Sequence, residues 1–442
     1  MTSAKVIRSY LVIAGLYTLS ASLIWGVNTL FLLDAGLKIF EVFIANSIFT
    51  AAMVLFEIPT GVLADTSGRR ISFLLSVLIL AFATIGYVAV AWLNGGLLWF
   101  GVMSVFLGLG FTFYSGAVEA WLVDALSATD YSGTLETVFA RGGLITGGAM
   151  LVGTISGGFL GDLSLAAPFI LRAVLLIALF VFAYISMHDI GYQSRSLKLH
   201  LIPAEIQRVA KDSITYGWNN RSLRLIIVVG FIQGSFFAWA WYAWQPYFLD
   251  LLGREAVWVA GIIAALIALA MMAGNSIVEY LTSFCGRRTT ILLWTTAVFS
   301  IAMIGVGVTN SFWLAVALFL VAMAAIGVSQ PIKQAIIHGL IPSEQRATIV
   351  SFDSMVASGG GVLGQSSLGY LAQMRSFGSG YISGGVFTGL IIPVWLLLRR
   401  QNDPSDYFAG QRAGQDSPCA AQGLPSVSSV DAKPMSNLAV NK

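Results

Sequence analysis

The sequence predicts an all-α membrane protein with twelve transmembrane helices in two pseudo-symmetric six-helix bundles. Of the 442 residues, 57% are hydrophobic and only 10% are charged, whereas a soluble domain is typically about one quarter charged. The apolar residues fall into twelve runs, each long enough to cross the hydrocarbon core, which takes about 20 helical residues. The basic residues lie almost entirely on one side of these runs, as in membrane proteins with a fixed orientation.

Six of the runs lie in residues 1–187, the predicted N-terminal bundle, and six in residues 223–400, the predicted C-terminal bundle. Backbone groups inside lipid must bond to one another, so each run is expected to form a helix. The first run, starting near Tyr10, is too long for a signal peptide and is interpreted as an uncleaved span. The spans are predicted near residues 10–33, 41–64, 71–93, 97–122, 138–160, 165–187, 223–249, 256–282, 289–308, 312–335, 348–372 and 378–398.

The positions of the basic residues orient the chain, because cytoplasmic loops are enriched in lysine and arginine. With both termini in the cytoplasm, three of the 24 basic residues lie in outer loops, at Lys38, Arg254 and Arg375. Arg172 lies within a span, and the other twenty, including Lys333, are assigned to inner segments. The sequence therefore predicts a multi-pass protein of the cell membrane, in a bacterium the inner membrane, with both termini cytoplasmic.

Two segments are too polar to belong to either bundle. Residues 188–222 form a basic cytoplasmic linker, in which 201–209 could be an amphipathic helix on the membrane surface or simply part of a solvated loop. Residues 401–442 are rich in glycine, serine, proline, glutamine and asparagine. Such a composition cannot bury a core, so this segment is predicted to be a disordered cytoplasmic tail.

A glycine-containing turn at residues 61–70 follows the second span, and a degenerate copy ending at 286–288 follows the eighth. Glycine permits a close helix approach at Gly61 and a tight reversal at Gly68. Asp65 lies at a helix C-terminus, where the dipole disfavours an anion, so it needs a cationic partner. A network that locks the cytoplasmic ends in one conformation is predicted to include Gly61, Asp65, Gly68, Arg69, Arg70, Asp124, Arg141 and Arg346.

This turn, Gly61-x-x-x-Asp65-x-x-Gly68-Arg69-Arg70, resembles the signature loop of the major facilitator superfamily and stands where that family has it, between spans two and three. Segments 56–61 and 115–124 resemble bacterial members that export drugs and metabolites. The resemblance covers roughly residues 1–400. It implies two six-helix halves that rock around a central site and carry a small organic molecule, with proton antiport as the expected coupling.

Two carboxylates inside predicted spans, Glu57 and Glu119, are candidates for proton coupling, because charges within spans are costly and usually functional. A buried carboxylate could load a proton and release it as access alternates. The alternative roles are structural. Glu57 could satisfy backbone groups freed by Pro59, and Glu119 could pair with Arg141.

The seventh span is unusually rich in aromatic and amide side chains, which suits a cavity for an amphipathic or planar substrate. An interfacial aromatic belt or helix–helix hydrogen bonds would explain the same residues. Arg172 could attract an anionic substrate, neutralise a glutamate or snorkel outward. The predicted cavity residues are Trp25, Asn28, Arg172, Gln233, Trp241, Gln245, Asn275 and Gln330.

No nucleotide-binding loop, metal-ligand cluster or catalytic triad is present in the sequence, so an enzyme, a cofactor, a metal site and a nucleic-acid partner are not predicted. The predicted function is secondary active export of small organic molecules in exchange for protons, by a monomer in the lipid bilayer. A coupled nutrient importer and a non-transporting membrane sensor are the alternatives. The aromatic seventh span and the lack of a cationic cluster favour export and neutral or cationic substrates.

Overall fold

The structure, a computed structural model, describes residues 2–129, 131–192, 220–253, 256–341 and 346–408, apart from the side chains of Asp65 and residues 346–348. The described residues are mainly α-helical. The helices of the N-terminal half are α1 (Ser3–Ser22), α2 (Asn28–Asp34), α3 (Ile39–Ser67), α4 (Arg69–Trp92), α5 (Gly96–Tyr114), α6 (Ala117–Ser127), α7 (Leu135–Leu163) and α8 (Ala167–Ser186). Those of the C-terminal half are α9 (Arg221–Leu252), α10 (Val257–Ser276), α11 (Val278–Phe284), α12 (Arg288–Val308), α13 (Phe312–Leu340), α14 (Arg346–Met374), α15 (Phe377–Gly389) and α16 (Ile391–Arg400).

The predicted all-α membrane fold is confirmed, with ten helical stretches of the described chain long and apolar enough to cross a membrane. They correspond to the predicted spans two to ten and twelve. The segments predicted as spans one and eleven are also helical, as α1 with α2 and as α14. They are less apolar because α14 carries many glycine and serine residues and because α1 includes Lys5 and Arg8.

Several predicted spans are broken rather than continuous. The fourth is interrupted at Ser115 and Gly116, where Gly116 has a φ of +72°, a conformation that favours glycine. Backbone breaks at membrane depth are tolerated where they line a cavity or pack within protein. This break gives α6 its own N-terminus and places Glu119 in its first turn.

Each half has its own hydrophobic core, built around Trp121 in the N-terminal half and around Trp239 in the C-terminal half. The halves meet mainly through two helix pairs, α3 against α14 and α7 against α10. These are the second span with the eleventh and the fifth with the eighth. Spans two and five of the N-terminal half correspond in position to spans eight and eleven of the C-terminal half. Each kind of span therefore pairs with the other kind in the opposite half, as expected of two halves related by pseudo-symmetry.

The halves touch at the helix ends predicted to be extracellular, here called the outer ends. A methyl group added at Gly158 would lie 2.6 Å from Gly261 Cα of the opposite half, and one at Gly26 would lie 3.2 Å from a carbonyl of α10. At the inner ends, predicted to be cytoplasmic, a methyl group at Gly61 or Gly143 would meet no atom within 4 Å. Thr29 N donates to Gln245 and Phe40 N donates to Gln373 across the outer ends, whereas no hydrogen bond between two described residues joins the inner ends, so the halves diverge toward the inner ends.

The ordered C-terminal half extends as far as Phe408, into the segment predicted to be a disordered tail. The carboxylate of Asp406 accepts hydrogen bonds from Thr289 N at 2.7 Å and Thr289 Oγ1 at 2.9 Å. An anion is favourable at this position because backbone N–H groups in the first turn of α12 lack helical partners. Residues 409–442, the predicted helix at 201–209 and most of the predicted linker lie outside the described residues.

Candidate functional site

A cavity of about 370 Å³ lies within the N-terminal half and reaches α9; it is called the N-half cavity. Its wall is largely aromatic, with two amides and one charged side chain. The aromatic, amide and charged residues that line it are Tyr17, Trp25, Asn28, Asn46, Phe49, Tyr87, Phe111, Tyr114, Arg172, Trp241 and Tyr242. The structure therefore brings together four of the residues predicted to line a cavity, from three different predicted spans.

Arg172 is the charged residue of this wall. It projects from α8 and is only 9% exposed, so it does not snorkel toward the membrane surface. Its Nε has no hydrogen-bond partner, and the described lining of the N-half cavity contains no carboxylate. Tyr17, Tyr87 and Tyr242 line the same cavity and are close enough to Arg172 to interact with it electrostatically.

Two hydrogen-bond donors in the wall of the N-half cavity, Arg172 Nε and Asn46 Nδ2, have no described partner. Asn28 Nδ2 donates to Asn46 Oδ1 at 3.2 Å, which uses the acceptor of Asn46 and leaves its buried Nδ2 without a partner. The aromatic wall is closely packed, with Tyr17 stacked on Tyr114 at 3.5 Å between ring centroids. This cavity thus offers flat apolar surfaces beside unpaired donors.

A second cavity, of about 440 Å³, lies in the C-terminal half and is called the C-half cavity. Its lining is more polar. The polar and charged lining residues are Gln233, Thr295, Thr296, Ser329, Gln330, Lys333, Gln334, His338, Asp353, Ser354 and Thr388. Two of the predicted cavity residues, Gln233 and Gln330, lie in this wall.

The C-half cavity contains an ion pair between Lys333 Nζ and Asp353 Oδ2, which are 3.2 Å apart. Both side chains are almost buried, at 11% and 14% exposed. Lys333, assigned from the sequence to an inner segment, lies within α13 and lines this cavity. Because α13 continues to Leu340, Lys333 lies about 10 Å inside the helix end at 1.5 Å per residue. Asp353 was not singled out from the sequence, although it is a charge within a predicted span, the signal that identified Glu57.

Two predicted cavity residues have other surroundings. Gln245 is fully buried, and its Oε1 accepts from Thr29 N at 2.8 Å while its Nε2 donates to Trp25 O at 2.9 Å. It therefore connects the halves at their outer ends, as the helix–helix alternative proposed. Asn275 is exposed near the inner end of α10.

The coupling candidates Glu57 and Glu119 are both exposed in this conformation, contrary to the burial expected from the sequence. The reason is tertiary, since the inner ends of the halves diverge. Glu57 Oε1 lies 3.4 Å from the hydroxyl of Ser115, the residue at the break in the fourth span. Glu119 is close enough to Tyr114, in the wall of the N-half cavity, to interact electrostatically with it. Glu119 and Arg141 form no ion pair in the described structure.

The turn at the inner end of α3 is held within the N-terminal half. Gly68 has a φ of +105°, which agrees with the predicted tight reversal. Arg70 N donates to Asp189 Oδ1 at 2.9 Å, and Arg70 Nη2 donates to Tyr184 O at 2.7 Å. Burial raises the pKa of the Asp189 carboxyl, and the neighbouring Arg70 opposes that rise.

Asp189 was missed by the sequence reasoning, because it lies just beyond α8 and far along the chain from the turn. Asp124 and Arg69 are close enough to Asp189 to interact with it electrostatically. Arg141 is exposed and lines a groove between α1 and α7. The side chains of Asp65 and Arg346, the remaining charged members of the predicted network, lie outside the described part of the structure.

Comparison of the sequence with known proteins identifies the family to which the chain belongs. A model of the Major Facilitator Superfamily matches residues 10–283 and 257–430. An uncharacterized MFS-type transporter of Bacillus subtilis (strain 168), YxaM, is 25% identical over 233 residues, which cover 50% of this chain and 53% of that protein. The alignment thus spans about half the length of this curated relative.

Solved structures share the fold at low sequence identity. The nucleoside transporter NupG superimposes with a TM-score of 0.74 at 11% identity, over 89% of this chain and 99% of that chain. A POT family transporter in complex with a thioalcohol-conjugated peptide gives 0.68 at 10% identity, over 89% and 96%. The human organic anion transporter MFSD10 gives 0.59 at 14% identity, over 89% and 100%.

Proposed function

The chain belongs to the major facilitator superfamily and is a membrane transporter of that type, and on this premise we propose that it exports a small organic molecule in exchange for protons. Transport proceeds by alternating access, with the two halves rocking around the central cavities. The substrate binds between the halves, and the proton is carried by a carboxylate near the inner opening.

The observation that carries this proposal is the asymmetry of the interface between the halves. Close contacts and hydrogen bonds join the outer ends, as between Gly158 and Gly261 and between Thr29 and Gln245. Open space surrounds Gly61 and Gly143 near the inner ends. This arrangement corresponds to a conformation that loads substrate from the inner side. Rocking about the α3–α14 and α7–α10 contacts would close the inner ends and open the outer ones.

Glu119 is the preferred coupling residue, with Glu57 as the second candidate. In the present conformation both carboxylates are exposed to water. When the inner ends close, removal from water would disfavour the charged form and promote proton loading. A carboxylate that alternates between these surroundings can couple proton movement to rocking.

Export is proposed over import because segments 56–61 and 115–124 resemble those of exporters. The same cavities would serve an importer, so direction needs a direct measurement. Everted membrane vesicles with an acidified interior provide it. An exporter accumulates substrate inside these vesicles and releases protons, which a pH-sensitive dye reports.

We predict that Glu119→Gln abolishes uphill accumulation in everted vesicles but retains substrate binding and exchange without a gradient. Glutamine preserves size and hydrogen bonding yet cannot release a proton. Glu136→Gln is the matched control, because Glu136 is an exposed carboxylate in the first turn of α7 at the inner side. It should transport like the unmodified protein.

Two results would contradict this scheme. Accumulation by Glu119→Gln equal to that of the Glu136→Gln control would exclude Glu119 and transfer the role to Glu57. Accumulation only in right-side-out vesicles would replace export by import.

A further inference from the structure

We infer that the transported molecule is an organic carboxylate with an aromatic or flat apolar body, bound by Arg172 in the N-half cavity. This inference rests on the proposed transport function and adds the chemical class of its substrate. It departs from the neutral or cationic substrates that the sequence favoured.

The first argument is the uncompensated charge of Arg172. The Arg172 residue is only 9% exposed, and a buried charge is costly unless it is paired. Its surroundings in the N-half cavity are phenols and amides rather than carboxylates. Glu119 neighbours Tyr114 but is not part of the lining. The cavity therefore carries a positive charge that an anionic ligand would balance.

The second argument is independent of charge and concerns hydrogen bonding. Buried polar groups are nearly always paired, yet two donors of the N-half cavity, Arg172 Nε and Asn46 Nδ2, have no partner. The corresponding acceptor, Asn46 Oδ1, is already used by Asn28. A ligand that satisfies these two donors must supply acceptors. A carboxylate has two acceptor oxygens and matches the fork of a guanidinium.

The third argument concerns the rest of the ligand. Trp25 and Trp241 contact each other edge to face in the wall, with ring centroids 6.2 Å apart and planes at 74°, and the Tyr17–Tyr114 stack lies in the same wall. Flat aromatic surfaces favour aromatic or planar groups. The volume of about 370 Å³ lies near the lower end for small-molecule sites, which span about 300–1,000 Å³. The cavity thus suits a compact carboxylate with one or two rings.

The test measures ligand binding separately from transport. Purified full-length protein in detergent is heated with matched pairs of probes, benzoate and benzamide, cinnamate and cinnamamide, and indole-3-acetate and indole-3-acetamide. At least one carboxylate is expected to raise the apparent Tm, and its amide partner, of nearly the same shape, should bind at least about tenfold more weakly, or ~1.4 kcal/mol. Amides that stabilise as well as the carboxylates, or carboxylates that do not stabilise at all, would overturn the inference.

Variants of Arg172 and Asn46 test whether the preference for acids over amides arises in the N-half cavity. Arg172→Gln should bind the acid and the amide alike, while Arg172→Lys should retain part of the preference because it keeps the charge without the fork. Asn46→Asp places a carboxylate in the same wall and should weaken binding of the acid about tenfold, ~1.4 kcal/mol. Asn46→Leu is its uncharged control: it removes one donor, so it should weaken acid binding less than Asn46→Asp does, and acids should still bind more tightly than amides because Arg172 is unchanged. A preference for acids that survives in a folded Arg172→Gln protein would assign the anion to another site.

The same probes in everted vesicles separate this inference from the proposed function. Selective binding of a carboxylate without any transport would leave the substrate class standing and contradict the transport scheme. Proton-driven transport of neutral compounds that is unaffected by Arg172→Gln would support the transport scheme and contradict the substrate class.

Discussion

The N-half and C-half cavities each contain one buried basic side chain, but only one of them is neutralised. Lys333 lies 3.2 Å from Asp353, whereas Arg172 has no carboxylate in its described surroundings. An unpaired charge in the interior is expensive, and a paired one costs much less. The difference indicates that the Lys333 charge is used within the protein, while the Arg172 charge is available to a ligand.

The packing around the two basic side chains also differs. A methyl group at Gly230 of α9 would lie 2.7 Å from Asp353 Oδ1 and 3.3 Å from Lys333 Nζ, so the ion pair is confined by a neighbouring helix. Arg172 instead faces the phenols of Tyr17, Tyr87 and Tyr242. Phenol groups can orient a guanidinium, but they carry no charge that would neutralise it.

The largest effect is expected from breaking the ion pair. Asp353→Asn or Lys333→Met alone would leave one buried charge without its partner, and each should reduce stability by about 3 kcal/mol. The double variant Lys333→Met with Asp353→Leu should recover most of this loss, because replacing both partners by apolar groups is often nearly neutral. Thermal unfolding in detergent measures all three. Single variants as stable as the unmodified protein would show that the pair has no structural role.

A smaller effect is expected from adding a methyl group next to the Lys333–Asp353 ion pair. Gly230→Ala adds a methyl group against Asp353, and overpacking of this kind costs about 1–3 kcal/mol. The higher helix propensity of alanine relative to glycine offsets about 0.8–1.0 kcal/mol of that loss, so the net destabilisation should be about 1 kcal/mol. Gly359→Ala in α14 is the control, since a methyl group there meets no atom within 4 Å. Equal Tm values for the two variants would mean that the pair moves freely.

The smallest effect, and one of opposite sign, is expected from Arg172→Met without ligand. This change removes a buried charge that lacks a partner, so it should leave the Tm unchanged or raise stability by up to about 1 kcal/mol. The comparison with Lys333→Met is direct, because both place methionine where a buried basic residue stood. A loss in Arg172→Met as large as that in Lys333→Met would contradict the difference between the cavities.

Much of the candidate site could be recognised from the sequence, because intramembrane polar residues are few and conspicuous. Trp25, Asn28, Arg172 and Trp241 were predicted to share a cavity, and the structure places them in one wall. Gln245 belongs to the same class of residue but bonds across the outer ends instead. Residue type identified which side chains need partners, but not whether the partner is a helix or a ligand.

The sequence by itself determined the class of protein, the helical segments and the predicted orientation. These depend on run length, apolarity and the distribution of basic residues, which are local properties of the chain. The ordered segment up to Phe408 was not anticipated, because it depends on the contact of Asp406 with Thr289 of a distant helix. The break at Ser115 and Gly116 was not anticipated either.

Only the tertiary structure decided which charges are compensated. Lys333 and Arg172 both lie within long apolar helices, yet one meets Asp353 of α14 and the other lies in a wall of aromatic rings. Likewise, Glu119 lies in an apolar segment but is exposed where the inner ends diverge. Burial and pairing follow from how helices approach one another in space, and the free energy of a charge depends on those surroundings rather than on its place in the chain.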